Sequence, residues 1–169
     1  MYDNIVFIHR YKHGEFKHSK KPYLILNVWN IKKWTEDALW NNDQIKLGIC
    51  VKENDELIGF CLLIKIALVN GSTEISIMIG NNNYWGKGLG SEAILLLSDF
   101  AFNERGYNRI WARILESNIA SKKMFEKCGY ITGGLLRQSI YKNGKFQNQV
   151  VMSILQDEFY QMLKDRGIE

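Results

Sequence analysis

Most signals of a specialised protein class are missing from this sequence. Proline occurs once, at Pro22, and no Gly/Ser-rich stretch interrupts the chain. Neither an interdomain linker nor a proline-rich segment is therefore expected, and no internal repeat is visible. The three cysteines, Cys50, Cys61 and Cys128, lie far apart in apolar surroundings, with no C-x-x-C pair. That spacing excludes a disulfide framework and a zinc site, and predicts small buried hydrophobes in a reducing compartment. His9, His13 and His18 are unevenly spaced, so no metal site is expected. The longest apolar stretch, 57–69, is interrupted by Lys65 and falls short of the roughly 20 residues that a membrane span needs. The first residues, MYDNIVFIHRYKHGEF, lack the apolar core of a secretory leader. The expectation is a soluble, cytoplasmic protein without a membrane partner.

The rest of the composition is that of a globular chain. Its 169 residues suit a single domain, 46% are hydrophobic and 24% are charged. Against 18 acidic side chains stand 22 basic ones, a formal charge of +4. The excess sits at one end. Residues 1–33 carry seven Lys/Arg (Arg10, Lys12, Lys17, Lys20, Lys21, Lys32, Lys33) and two acids (Asp3, Glu15). A nucleic-acid binder would carry its basic excess on the folded body, so no nucleic-acid partner is expected.

Hydrophobic patterning predicts the elements. Within 23–41, mixed spacing of Ile25, Trp29, Trp34, Leu39 and Trp40 suggests a partly helical segment, with Thr35 as a cap. Strands are expected at 45–52, 57–68 and 74–79, joined by the polar turn Glu53-Asn54-Asp55-Glu56 and by Asn70-Gly71-Ser72. Short turns make these antiparallel neighbours. Ala93, Leu96, Leu97, Phe100 and Ala101 recur at helical spacing within 91–104. A strand at 109–115, a helix at 118–127, two strand-like runs (130–141 and 146–155) hinged at Asn143-Gly144, and a short helix at 156–166 follow. Phe159, Tyr160 and Leu163 give that last helix an apolar side, for the sheet or for the second subunit of a homodimer. The class is α/β in the α+β sense: a mixed, mainly antiparallel sheet of about six to seven strands flanked by helices.

The sharpest local feature is Trp85-Gly86-Lys87-Gly88-Leu89-Gly90-Ser91, between a strand and a helix. Alternate glycines let backbone amides approach a ligand, and a helix N-terminus adds unpaired N–H groups with partial positive charge. Together they suit a phosphate. A Walker loop is absent. Gly88-Leu89-Gly90-Ser91-Glu92-Ala93 fits the dinucleotide pattern G-x-G-x-x-A, with Glu116 after the next strand. Two features oppose that reading. Asn81 to Trp85 separate strand from glycines, and the 53 residues after Glu116 read as helix plus hairpin.

The segment EISIMIGNNNYWGKGLGSEAILLLSDFAF resembles motif A of the GNAT superfamily of N-acetyltransferases, and 109–158 resembles the downstream half of its RimJ/RimL and spermidine acetyltransferase-like branch. Landmarks are Asn118, Ser121, Phe125, Glu126-Lys127, Gly129-Tyr130, Gly134 and Met152. The resemblance covers about 45–158, leaving 1–44 as the acceptor-side region of one domain spanning 1–169. It implies acetyl-CoA as donor. Amides of Trp85, Gly86, Lys87, Gly88, Leu89, Gly90 and Ser91 would hold the pyrophosphate. Main-chain groups of Ser76, Ile77, Met78 and Ile79 would pair with the pantetheine arm, on a strand splayed from the next. Asn118, Ser121 and Phe125 would line the far side. Three positions depart from the pattern: Trp85 stands at the motif's R/Q, Phe125 at the tyrosine that many relatives use to protonate the thiolate, and Asn148 at an often acidic position.

The resemblance further implies direct transfer of the acetyl group to a primary amine in a ternary complex. The amine would be a protein N-terminus, an amino sugar or another small amine. Glu74, or a water it orders, is the expected base; a strand N–H around Met78–Ile79 would polarise the carbonyl, and water, Ser121 or Tyr130 would protonate the thiolate. Phe125 keeps a non-catalytic acetyl-CoA-binding protein in contention, and the G-x-G-x-x-A match a dinucleotide-binding one.

Overall fold

The computed structural model describes residues 5–8, by backbone alone, and 44–168. The helical reading of 23–41, the three histidines, Trp29, Trp34, Trp40 and most of the basic segment lie outside the described residues.

One seven-stranded sheet has the order β1-β2-β3-β4-β5-β7-β6. Its strands are β1 (Ile5–Ile8), β2 (Ile45–Val51), β3 (Leu57–Ala67), β4 (Ser72–Ile79), β5 (Arg109–Leu115), β6 (Ile131–Lys142) and β7 (Lys145–Leu155). The first was not expected from the pattern; it pairs antiparallel with β2, Ile5 opposite Val51. The expected antiparallel run of β2, β3 and β4 is present. So is the β6–β7 hairpin, whose Asn143 and Gly144 both have positive φ (53° and 76°), the geometry that Asn-Gly turns favour.

Strand alternation sorts this sheet into two faces. One carries Leu47, Ile49, Cys61, Leu63, Ile75, Ile110, Ala112, Ile114, Val150, Met152 and Ile154, all buried. Three helices pack there: α1 (Leu89–Asp99), α2 (Ile119–Lys127) and α3 (Gln156–Asp165). Helix α1 starts two residues earlier than the periodicity suggests, because Gly88 caps it with a left-handed backbone (φ 85°) that the pattern of apolar residues does not report. After Asp99 it widens into a π-turn, Phe100–Glu104, and Gly106 (φ 65°) turns the chain away. Phe102 meets Phe159 of α3 at 5.3 Å between ring centroids, and Phe159 and Leu163 belong to the same core as the sheet's buried face.

Among the described strands only β4 and β5 run parallel, and they pair over three residues: Ser72–Glu74 with Arg109–Trp111. Beyond Glu74 and Trp111 the ladder stops, so Ile75–Ile79 and residues 112–115 diverge. The remaining pairs are antiparallel. That order rules out the doubly wound parallel sheet of a dinucleotide-binding fold.

Candidate active site

The divergence of β4 from β5 makes a cleft, and the chain brings the glycine loop to its mouth. Strand β4 leads through Gly80 and a short 3₁₀ turn, Asn82–Tyr84, into Trp85. Polar contacts with the β2–β3 turn brace this connection. Tyr84 donates its hydroxyl to Glu56 Oε2 at 2.7 Å, and Asn81 Nδ2 donates to Glu56 Oε1 at 2.9 Å. The Tyr84–Glu56 hydrogen bond is the main cause holding the Tyr84 phenol above its ordinary pKa. Trp85 donates its indole N–H to the carbonyl of Ile79 at 2.9 Å. The tryptophan at the motif's R/Q position thus ties the start of the loop to the end of the strand.

Gly86 (φ 76°) and Gly88 (φ 85°) hold conformations that L side chains rarely adopt, and a Cβ at either would meet nothing within 4 Å. Space on the loop is therefore open where side chains are absent. Among the described residues, no backbone carbonyl accepts the N–H groups of residues 86–91; the first helical bond runs from Glu92 N–H to Gly88 C=O at 3.0 Å. Gly90 is glycine for another reason. A Cβ there would lie 2.7 Å from Met124 Sδ, so its absence lets α1 approach α2. Lys87 lies over the Tyr84 ring, 5.4 Å from the centroid.

Past the end of β5 the chain enters α2. Asn118 caps it, its Oδ1 accepting the Ser121 N–H at 3.1 Å. Ser121 is half-buried in the first turn, and its hydroxyl makes no hydrogen bond among the described residues. Phe125 is buried, its ring edge-on to Tyr130 at 5.0 Å. Tyr130, expected as a proton donor, is instead a core residue. It is 2% exposed, its hydroxyl shares a 2.8 Å hydrogen bond with Ser98, and burial raises its pKa. Acid chemistry at the cleft is therefore not open to it.

Glu74, expected as the base, stands at the root of the cleft with both oxygens occupied. Arg113 Nε reaches Oε1 at 2.9 Å and Arg113 Nη2 reaches Oε2 at 3.2 Å. Lys65 Nζ lies 2.9 Å from Oε2. The pattern of charges along the strands did not reveal this cluster, because Lys65 enters it through a left-handed residue (φ 51°) at a break in the β3–β4 register. Asn148 was also undervalued: its Oδ1 accepts the N–H of Gln138 at 2.8 Å and its Nδ2 donates to Glu116 at 2.8 Å, just past β5. No group of three or more His, Cys, Asp or Glu among the described residues is arranged to hold a metal ion.

Comparison with known proteins bears on the family and the fold. The model of the acetyltransferase (GNAT) domain matches residues 8–131. The chain belongs to the GNAT acetyltransferase family. It is 36% identical over 114 residues to an uncharacterized N-acetyltransferase p20 of Bacillus licheniformis, covering 68% of this chain and 64% of that one. It is 29% identical over 103 residues to the spermidine N(1)-acetyltransferase of Vibrio cholerae, covering 61% and 59%. These matches span under two thirds of either relative. A crystal structure of the Vibrio cholerae spermidine N-acetyltransferase in complex with CoA and spermine superposes with a TM-score of 0.74 at 23% identity, covering 84% and 82% of the two chains. GNAT acetyltransferases use acetyl-CoA as donor.

Proposed function

We propose that this protein is an acetyl-CoA-dependent N-acetyltransferase acting on a primary amine, by direct transfer in a ternary complex. The observation that carries the reading is the row of amides of residues 86–91 at the mouth of the β4/β5 cleft, to which no backbone carbonyl among the described residues bonds. When bound, acetyl-CoA supplies the activated acetyl thioester. The residues present fit such a donor. Amides of 86–91 and the N-terminus of α1 suit its pyrophosphate, and the space over Gly86 and Gly88 admits it. The edge of β4 from Ser76 to Ile79 faces the cleft without a strand partner on the β5 side, which suits an amide-bearing pantetheine arm. Asn118 and Ser121 would form the opposite wall, with Phe125 buried behind them against Tyr130.

An N–H of β4 around Met78–Ile79 would polarise the carbonyl under attack. The amine needs little help if it is an α-amine, whose pKa of about 7.7–8.0 leaves a neutral fraction at physiological pH. A thiolate with an ordinary pKa of about 8.5 is a fair leaving group, so the missing hydroxyl at Phe125 is tolerable. Ser121 or solvent would return its proton. Positioning then supplies most of the rate. The solved neighbour holds spermine, but the carboxylate at the cleft root here is already paired with two cations. That leaves a polycation less to bind, and favours a peptide N-terminus or an amino sugar.

The test is CoA-thiol release from acetyl-CoA with a panel of peptides, amino sugars and polyamines. Turnover with one class supports the reading. Tight CoA binding without turnover on any amine would make this a non-catalytic binder. Ping-pong kinetics or an acetylated protein in mass spectra would overturn direct transfer.

A further inference from the structure

The Glu74–Arg113 pair stands where the sheet divides. Glu74 and Trp111 form the last rung of the β4–β5 ladder. Arg113 lies two residues further along β5, on the same face as Trp111 and on the part of β5 that has left β4. Its guanidinium reaches back across the first open rung to grip Glu74 with two parallel bonds. Bidentate pairs of this kind fix orientation as well as distance. Glu74 is 5% exposed, so removing Arg113 strips a buried carboxylate of its forked partner. Lys65 brings β3 to the same carboxylate, and both cations lie over the Trp111 ring, at 5.2 Å for Lys65 and 5.8 Å for Arg113. Three strands are thereby tied at one point, on the face opposite the helices.

We infer that the Glu74–Arg113 pair is a strut that sets how far β4 and β5 diverge, and that Glu74 is a positioning residue and not the base. Within the acetyltransferase reading on which this rests, the strut aligns the β4 edge with the acetyl group, while the distant glycine loop does the gripping. Loss of the strut therefore lowers kcat and leaves CoA affinity nearly intact.

The experiment compares Glu74→Gln, Arg113→Gln and the double variant, with Arg113→Lys as the milder form that keeps charge but loses the fork. Calorimetry with CoA, steady-state kinetics over pH, and amide hydrogen exchange over 75–79 and 112–115 are read together. Each single variant is expected to lower kcat about tenfold or more, as misplacement of reacting groups does. CoA Kd should stay within about threefold of the parent, and the double variant should be no worse than either single one, since one interaction is lost. The shape of the pH–rate profile should survive in Glu74→Gln, and exchange in both segments should quicken in all variants.

A base role would show differently: Glu74→Gln would lose about a hundredfold or more together with its acidic limb, while Arg113→Gln stayed near the parent rate. That result overturns the inference. So does unchanged hydrogen exchange in Arg113→Gln, whether or not any amine is turned over. If no amine is acetylated by the parent protein, the activity reading fails, while exchange and CoA titration still decide the strut.

Discussion

Replacing Gly88 by aspartate should separate the loop's ligand role from its structural one. Gly88 caps α1 with φ 85°, and a Cβ there meets nothing within 4 Å. Alanine at this position pays only the left-handed backbone, roughly 1–2 kcal/mol. Aspartate carries a similar cost, softened because Asp tolerates that region and because a carboxylate at a helix N-terminus contributes about 0.3–1 kcal/mol. Both unliganded variants should therefore melt only a few degrees below the parent, about 2–4 °C per kcal/mol for a chain of this size.

Binding should part them. A carboxylate about 5 Å from one phosphate charge, at an effective dielectric of about 20, repels by about 3 kcal/mol. That is roughly two decades in Kd. Gly88→Asp should bind CoA about a hundredfold more weakly, with a penalty that shrinks as salt rises; Gly88→Ala should stay within about tenfold. The assay is calorimetric titration with CoA at two ionic strengths, beside a thermal melt. A folded Gly88→Asp that binds CoA within threefold of the parent would refute the amide cradle.

Gly90→Val should cost about 1–3 kcal/mol by overpacking against Met124, whose sulfur lies 2.7 Å from the added Cβ. Met124→Ala should recover part of it in a double-mutant cycle read by urea denaturation. Trp85→Phe keeps an aromatic ring but loses the 2.9 Å bond to the Ile79 carbonyl; a loss of about 0.5–1.5 kcal/mol is expected by thermal melt, with weaker CoA binding as the loop loosens. Stability should also fall in alkali. Burial raises the Cys128 thiol from 9.0 to about 11, and a group raised in the folded state stabilises fully below its unfolded value and loses that contribution as pH climbs to the folded one. Two pKa units correspond to about 2–3 kcal/mol lost between pH 9 and 11. Buried Cys61 and Tyr130 push the same way. Denaturation across that range checks it, and Cys128→Ala should flatten part of the slope.

Much of the fold was legible because its signals are local. The strand at 74–79, the Asn143-Gly144 turn and the helix over 118–127 each rest on signals within a few residues, and each forms as read to within a residue or two. The glycine loop was legible for the same reason: amide geometry follows from the loss of side chains at 86 and 88. Strand β1 was missed because four apolar-rich residues do not announce a partner some 45 positions away.

By itself, the sequence determined a mixed sheet, a glycine cradle at a helix N-terminus and membership of a family of acetyltransferases. Only tertiary structure decided which partners Tyr130 and Glu74 meet. Tyr130 looked like an acid beside the motif, yet its hydroxyl points to Ser98 in the core. Glu74 looked like a base on the cleft strand, yet Arg113, 39 residues away, claims both its oxygens. Periodicity assigns a residue to a face; it does not say which charge arrives on that face from another strand. Reactivity depends on that arrival, because burial and pairing decide whether a proton can move.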